Sequence, residues 1–255
     1  MTLPIIPFFI IILLFTHITF GCKRKIRPNN QDEINFSFHE QNFGESAGDL
    51  LRDDKFKSLK LEINYMDGFK PDLKAVLNLK YFLTEHLNKP KGIRFVLKKI
   101  NPINDTILTR NEVSNLRRAK RTIYTTGDQL AVYILYTNGE FENNNILGEA
   151  FRNTTIVIYG ESVKANSNTF RNPTPTTLET ELLLHEVGHL LGLVNKGSSM
   201  NNPHKDSLHE GHCENEKCVI YWTIGTRSMA DPRIKRSAPN FDRACLQDLK
   251  ANGGK

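Results

Sequence analysis

Apolar and polar positions change their spacing several times along the chain. Leu59, Leu61, Ile63 and Tyr65 alternate with polar residues, the period-two pattern of a strand with one buried face. From Asp72 to Leu87 the apolar residues recur at intervals of three and four, which predicts an amphipathic helix. Ile93–Ile100 predicts a second strand, Leu130–Tyr136 a third that is apolar enough to lie inside a sheet, and Thr154–Tyr159 a fourth. Arg110–Arg121 reads as a weaker helix or a polar loop. Thr176–Leu193 is apolar nearly all round, through Leu178, Leu182, Leu183, Leu184, Val187, Leu190 and Leu191, and predicts a buried helix. Thr176 with Glu179 reads as its capping box and Gly192 as its left-handed stop. Phe241–Leu249 has the spacing of a closing helix, after which 252–255 should fray.

Strands that alternate with helices predict a mixed α/β fold (α+β or α/β) around a twisted, mostly parallel sheet. The short link between the third and fourth strands, with Gly139 and Asn143 to Asn145 in it, permits an antiparallel edge strand. An edge strand can pair with an extended peptide through main-chain hydrogen bonds.

The buried helix carries His185, Glu186 and His189 in the order H-E-x-x-H. Residues four apart on a helix lie one turn above the other, so two imidazole nitrogens can meet one metal ion. Glu186, next to the first of them, can take a proton from a metal-bound water. A pair of ordinary core histidines is the bland alternative. Against it, two histidines and three acidic residues (Glu179, Glu181, Glu186) in a buried helix need partners, and one metal ion satisfies two of them at once.

Composition adds limits. The chain has 255 residues, enough for one sizeable domain. Its net charge of +6 is spread in small clusters, Lys23–Lys25 and Arg117–Arg121, without the aromatic-interleaved basic run of a nucleic-acid groove, so no nucleic-acid partner is expected. Leu3–Phe20 is almost wholly apolar and ends at Gly21-Cys22. A small residue before a cysteine after such a run resembles a bacterial lipoprotein cleavage site, which implies removal of 1–21 and acylation of Cys22; an uncleaved anchor is the alternative. Either way the chain is expected at a membrane, on the exported side of a cell envelope. Residues 22–55 are polar and are expected to tether that anchor to a domain spanning 56–255, with a folded cover as an option for Phe36–Phe43.

The order of elements, with H-E-x-x-H on the second long helix and Gly192 three residues after His189, resembles the metzincin zinc proteases. The resemblance implies an upper sheet-and-helix subdomain (56–193), a horizontal cleft lined by the strand at Thr154–Tyr159, and a loop-rich lower subdomain (194–255). It also implies a third histidine ligand at the place that holds Asn195, and a neutral amide is a poor zinc ligand beside two imidazoles. His212-Cys213, with Cys218 and Ile220 beyond, is similar to the archaemetzincin branch, in which a ligand histidine is followed directly by cysteine. The resemblance makes His212 the first candidate for the third ligand, before His204 and Asp206. It places Ile220 as the hydrophobic floor under the metal, with Met229 as a rival. Archaemetzincins complete a structural zinc site with two closing cysteines. Only Cys245 remains here, so a disulfide between Cys213 and Cys218 or Cys245 is expected instead.

The expected function is a zinc-dependent endopeptidase acting on peptide or protein substrates at the envelope. His185, His189 and His212 would hold zinc, Glu186 would be the general base, and Tyr221 is a candidate oxyanion donor. The departures at Asn195 and Ile220 motivate an alternative, a catalytically impaired binding lipoprotein of the same fold.

Overall fold

The strands are β1 (Ser58–Met66), β2 (Ile93–Ile100), β3 (Ile107–Leu108), β4 (Gln129–Thr137), β5 (Glu140–Phe141), β6 (Gly148–Arg152) and β7 (Thr155–Tyr159). The helices are α1 (Ala47–Leu51), α2 (Leu73–His86), α3 (Arg110–Lys120), α4 (Gly160–Ala165), α5 (Pro175–Leu190) and α6 (Arg243–Ala251). This is a computed structural model, and it describes residues 34–142, 146–167, 173–224 and 240–255. The lipoprotein-like stretch with Cys22, and Met229, lie outside the described residues.

The main sheet has the order β2-β1-β4-β7-β6, and β3 and β5 form a small parallel pair apart from it. β2, β1, β4 and β7 are mutually parallel, while β6 joins β7 antiparallel and forms the sheet's edge. The expected mixed fold, with a mostly parallel sheet and an antiparallel edge, is therefore present. The edge is not where the sequence put it. Thr155–Tyr159 is an interior strand, and the cleft-side edge is Gly148–Arg152, a fifth strand that the spacing did not predict.

Side-chain alternation then divides the core. Leu59, Leu61, Ile63, Leu130, Val132, Ile134, Ile156 and Ile158 share one cluster with α2 and α5. Val157 and Tyr159 point the other way, towards Val113 of α3. α3, expected as a weak helix or loop, is fixed at its start by a reciprocal Thr109–Glu112 capping box.

The start of α5 differs from the expected one. Its cap is Thr174, which accepts from the Thr177 amide, and Pro175 opens the first turn. Thr176 and Glu179 are used across the α2–α5 junction instead: Thr176 donates to Asp72 at 2.9 Å, while Glu179 accepts from the Asp72 amide at 3.0 Å and from the Tyr136 hydroxyl at 3.3 Å. Gly192 does take the left-handed stop, at φ 67°.

Within the stretch expected to be a tether, residues 34–55 pack on the domain as a strap, and Gln31–Lys255 form one compact unit. The burial is largely polar, which is why composition hid it. His39 in the 3-10 turn Phe36–Glu40 is fully buried, bonded through Nδ1 to the Thr154 hydroxyl at 2.7 Å and accepting from the Thr125 amide at Nε2. Burial, with Arg121 and Arg117 nearby, lowers His39 to about 3, so it stays neutral. Both carboxylate oxygens of Glu40 accept from one nitrogen, Nη2, of buried Arg117, at 2.6 and 2.7 Å. Lys89 donates to the backbone carbonyls of Asp49, Arg52 and Phe56, and Leu50 and Leu51 enter the main core.

Burial raises Glu179 to about 7 from an ordinary 4.5, with the Asp72 charge adding to it. The folded protein thus keeps a proton there that the unfolded chain has already released. Where the folded state binds more protons, stability falls as pH rises. Melting temperatures across about pH 5 to about pH 8 should therefore drop more for the wild type than for Glu179→Gln, which keeps the acceptor and cannot ionise. Parallel pH profiles for the two proteins would remove Glu179 as the cause.

Candidate metal centre

Helical geometry delivers the first part of the site. His185 and His189 stand one turn apart on α5, and their Nε2 atoms face each other at 3.2 Å. His185 donates from Nδ1 to the Val219 carbonyl at 2.9 Å, which leaves a lone pair on Nε2. His212 comes in from the following loop, its ring centroid 5.3 Å from that of His185 and 5.0 Å from that of His189. One ligand atom from each of the three lies within 4.8 Å of the others.

The residues fit a zinc ion. Two nitrogens at about 2.0–2.1 Å from a tetrahedral zinc are about 3.3 Å apart, close to the observed facing pair. The Nδ1 atoms of His189 and His212 are buried without a hydrogen-bond partner. Burial and the neighbouring imidazoles push His189 well below the usual histidine range, and burial lowers His212 as well. Three converging imidazoles make a donor set that suits zinc.

Glu186 lies at the back of the same cleft. Its Oε2 accepts from the Ala150 amide of β6 at 2.6 Å, so the edge strand fixes the carboxylate. Burial raises its carboxyl to about 8 when no cation is near, with Glu149 contributing. Gly188, one residue before His189, leaves the space in which Ile220 and Phe241 pack: a Cβ there would meet both side chains at 2.8 Å. Ile220 thus packs against the helix that carries His185 and His189.

The other sequence candidates go elsewhere. Asn195 sits in a left-handed loop at φ 60° and accepts from the Met200 amide at 2.9 Å. Asp206 accepts from the amides of Leu208 and His209 and from the His209 ring. Tyr221 is half-buried beside Trp222 and does not line the cleft. Trp222 does line it, stacked on His209 with ring centroids 4.0 Å apart. The cleft is about 600 Å³, and Gly148, Glu149 and Ala150 of β6 form one of its walls.

The expected disulfide is absent. Cys213, Cys218 and Cys245 are buried, form no disulfide and converge with Asp242. Cys218 and Cys245 Sγ atoms are 3.5 Å apart, and His204 Nδ1 lies 3.4 Å from Cys213 Sγ and 3.9 Å from Cys245 Sγ. His204 Nε2 is bonded to buried Asp248 at 2.7 Å, the carboxylate support that orients ligand histidines. Sulfurs at about 2.3 Å from a zinc ion are about 3.8 Å apart, so this cluster has the scale of a second, closed metal site. Asp242 also reaches Cys213 Sγ at 3.5 Å, but its oxygens already serve the Cys245 amide and Asn215. Spacing along the chain gave no sign of His204 here, because its role depends on Asp248 and on cysteines up to 41 positions away.

No family model matches the chain, and no curated protein matches it. Among solved structures, the archaemetzincin of Methanopyrus kandleri is similar, with a TM-score of 0.50 and 19% identity over 77% of this chain and 96% of that one. At that identity the likeness shows the fold: a mixed α/β architecture with a mostly parallel sheet and an antiparallel edge strand.

Zinc titration checks the ligand geometry. His212→Ala should weaken zinc binding at the histidine site by at least about a hundredfold, whereas Asn195→Ala should bind as the wild type does. Cys245→Ser should remove one zinc equivalent and leave the other. Wild-type affinity in His212→Ala would place the third ligand elsewhere.

Proposed function

We propose that this chain is a zinc-dependent endopeptidase. One observation carries the reading: a buried carboxylate and three converging imidazoles share a cleft whose wall is an open sheet edge. His185, His189 and His212 would hold the ion, and a bound zinc supplies Lewis acidity to water and to a peptide carbonyl.

The protein's own groups supply the rest. Among the described residues β6 has no strand partner on its outer side, and beyond the Ala150 amide, which Glu186 takes, that edge can receive an extended peptide by main-chain hydrogen bonds. Ala150 pins Oε2 of Glu186 and leaves the carboxylate's other oxygen to the cleft. There Glu186 takes the proton of the attacking water and returns it to the leaving amine. The Val219 carbonyl holds His185 in the tautomer that carries its lone pair on Nε2.

The membrane-tethered setting belongs to the proposal and rests on Leu3–Phe20 and Gly21-Cys22. No helix among the described residues is long and apolar enough to cross a membrane. The alternative, an impaired binding protein, draws on Asn195 and Ile220. What weighs against it is that a ligand atom of His212 lies within 4.8 Å of those of His185 and His189, and that Ile220 packs closely against Gly188 of the same helix.

Glu186→Gln tests the reaction. The variant should bind zinc and melt as the wild type does, and its kcat on peptides should fall by about a thousandfold. Cleavage at the wild-type rate would refute the role of Glu186.

A further inference from the structure

The strap that precedes the sheet does more than cover it. Its tip is a tight turn, Asn42–Glu45, closed by the Asn42 side chain donating to Glu45 at 3.0 Å and by the Glu45 amide donating to the Asn42 carbonyl. Two clamps hold the tip over the cleft. The Gln41 carbonyl accepts from the Asn153 amide between β6 and β7, and the Asn153 side chain donates to Phe38 O and Ser46 Oγ at 2.7 Å each. On the other side Gly44, at φ 83°, lies so close to Lys196 that a Cβ would sit 1.8 Å from its carbonyl oxygen. Between the clamps Phe43 projects into the cleft, its ring centroid 5.6 Å from that of His189 and the residue 38% exposed. A large apolar ring left open at a rigid turn, beside the metal ligands, needs an explanation that packing does not supply.

The charged groups of the cleft are already engaged. Lys196 pairs with Glu210 at 2.8 Å, and Glu149 accepts from Tyr159 at 2.7 Å and from Arg110 at 2.9 Å. What is left to recognise a side chain is apolar: Phe43, Leu147, Trp222 and Ile224.

We propose that Phe43 is a specificity-determining residue, whose ring makes an apolar wall beside His189 and favours peptides with an apolar side chain next to the bond that is hydrolysed. The inference rests on the peptidase reading for its substrate class. The N-terminal strap is then part of the substrate site, and trimming the chain to the sheet and its helices would delete a wall of it.

The test uses the zinc-loaded protein and two peptide hydroxamates that differ in one side chain, benzyl or carboxymethyl, so that binding is read without turnover. Two peptides carrying the same side chains are assayed for kcat/KM. The wild type should prefer the benzyl compound by about tenfold. Phe43→Ala should abolish that preference with zinc content unchanged, and Phe43→Lys should reverse it towards carboxymethyl. Equal losses on both compounds, or an unchanged ratio in both variants, would overturn the proposal. A wild type that shows the binding preference but cleaves neither peptide would sink the peptidase reading and leave the role of Phe43 standing. A zinc-loaded wild type that binds neither hydroxamate would end both.

Discussion

Two imidazole nitrogens facing each other 3.2 Å apart inside a protein set a constraint on everything around them. Burial and the neighbouring rings hold His189 well below the usual histidine range. A helix places them there because positions four apart share a face, and the rest of the site is arranged to keep them there. Gly188 lets Ile220 and Phe241 press against the helix just before His189. The Val219 carbonyl fixes the tautomer of His185, and the Ala150 amide fixes Glu186 between them. Each support comes from a different part of the chain, so the geometry is a product of the whole fold and not of the motif alone.

The parts that were legible in the sequence are those whose burial is apolar and periodic. β1, β2, β4, β7 and α2 follow from alternation or helical spacing, and α5 from its near-continuous apolar face. β6 was not legible because it has five residues, Gly-Glu-Ala-Phe-Arg, and a register shift between Ala150 and Arg152 that breaks the alternation. The cap of α5 was misplaced because Thr176 and Glu179 satisfy the local pattern of a capping box, yet find better partners in Asp72 and Tyr136 across the junction. His212 was legible only through its cysteine neighbour, while Asn195 spends its side-chain oxygen on the Met200 amide.

The strap was hidden for a different physical reason. Its anchors are His39, Glu40, Ser46 and backbone carbonyls, groups that composition assigns to solvent. Each meets a specific partner: Thr154 and Thr125 for His39, Arg117 for the half-buried Glu40, Asn153 for Ser46, Lys89 for the carbonyls. Such complementarity between positions as much as 115 apart leaves no periodic trace. Pattern reading therefore underestimates segments that dock by polar bonds, and here one of them reaches the candidate site.

The lower part of the molecule shows how two clusters come to share one scaffold. His212 and Cys213 are adjacent, as are Cys218 and Val219, so the thiol cluster holds the residues on both sides of the histidine site: the third imidazole and the carbonyl that orients His185. The Cys213 amide donates to the Ile220 carbonyl, closing this segment on itself. The loop after α5 turns through left-handed Val194 and Asn195; its ends pack into the main core through Leu193, Val194, Val219 and Ile220, while between Asn195 and His212 Met200 alone packs against it. A compact knot of three thiols, His204 and two carboxylates can define that stretch, because directional ligands fix a loop at a few points where a core would need many. On this view the sulfur cluster, itself part of the main core, fixes the stretch of loop that apolar contacts leave undefined, and it carries His212 with its neighbour Cys213.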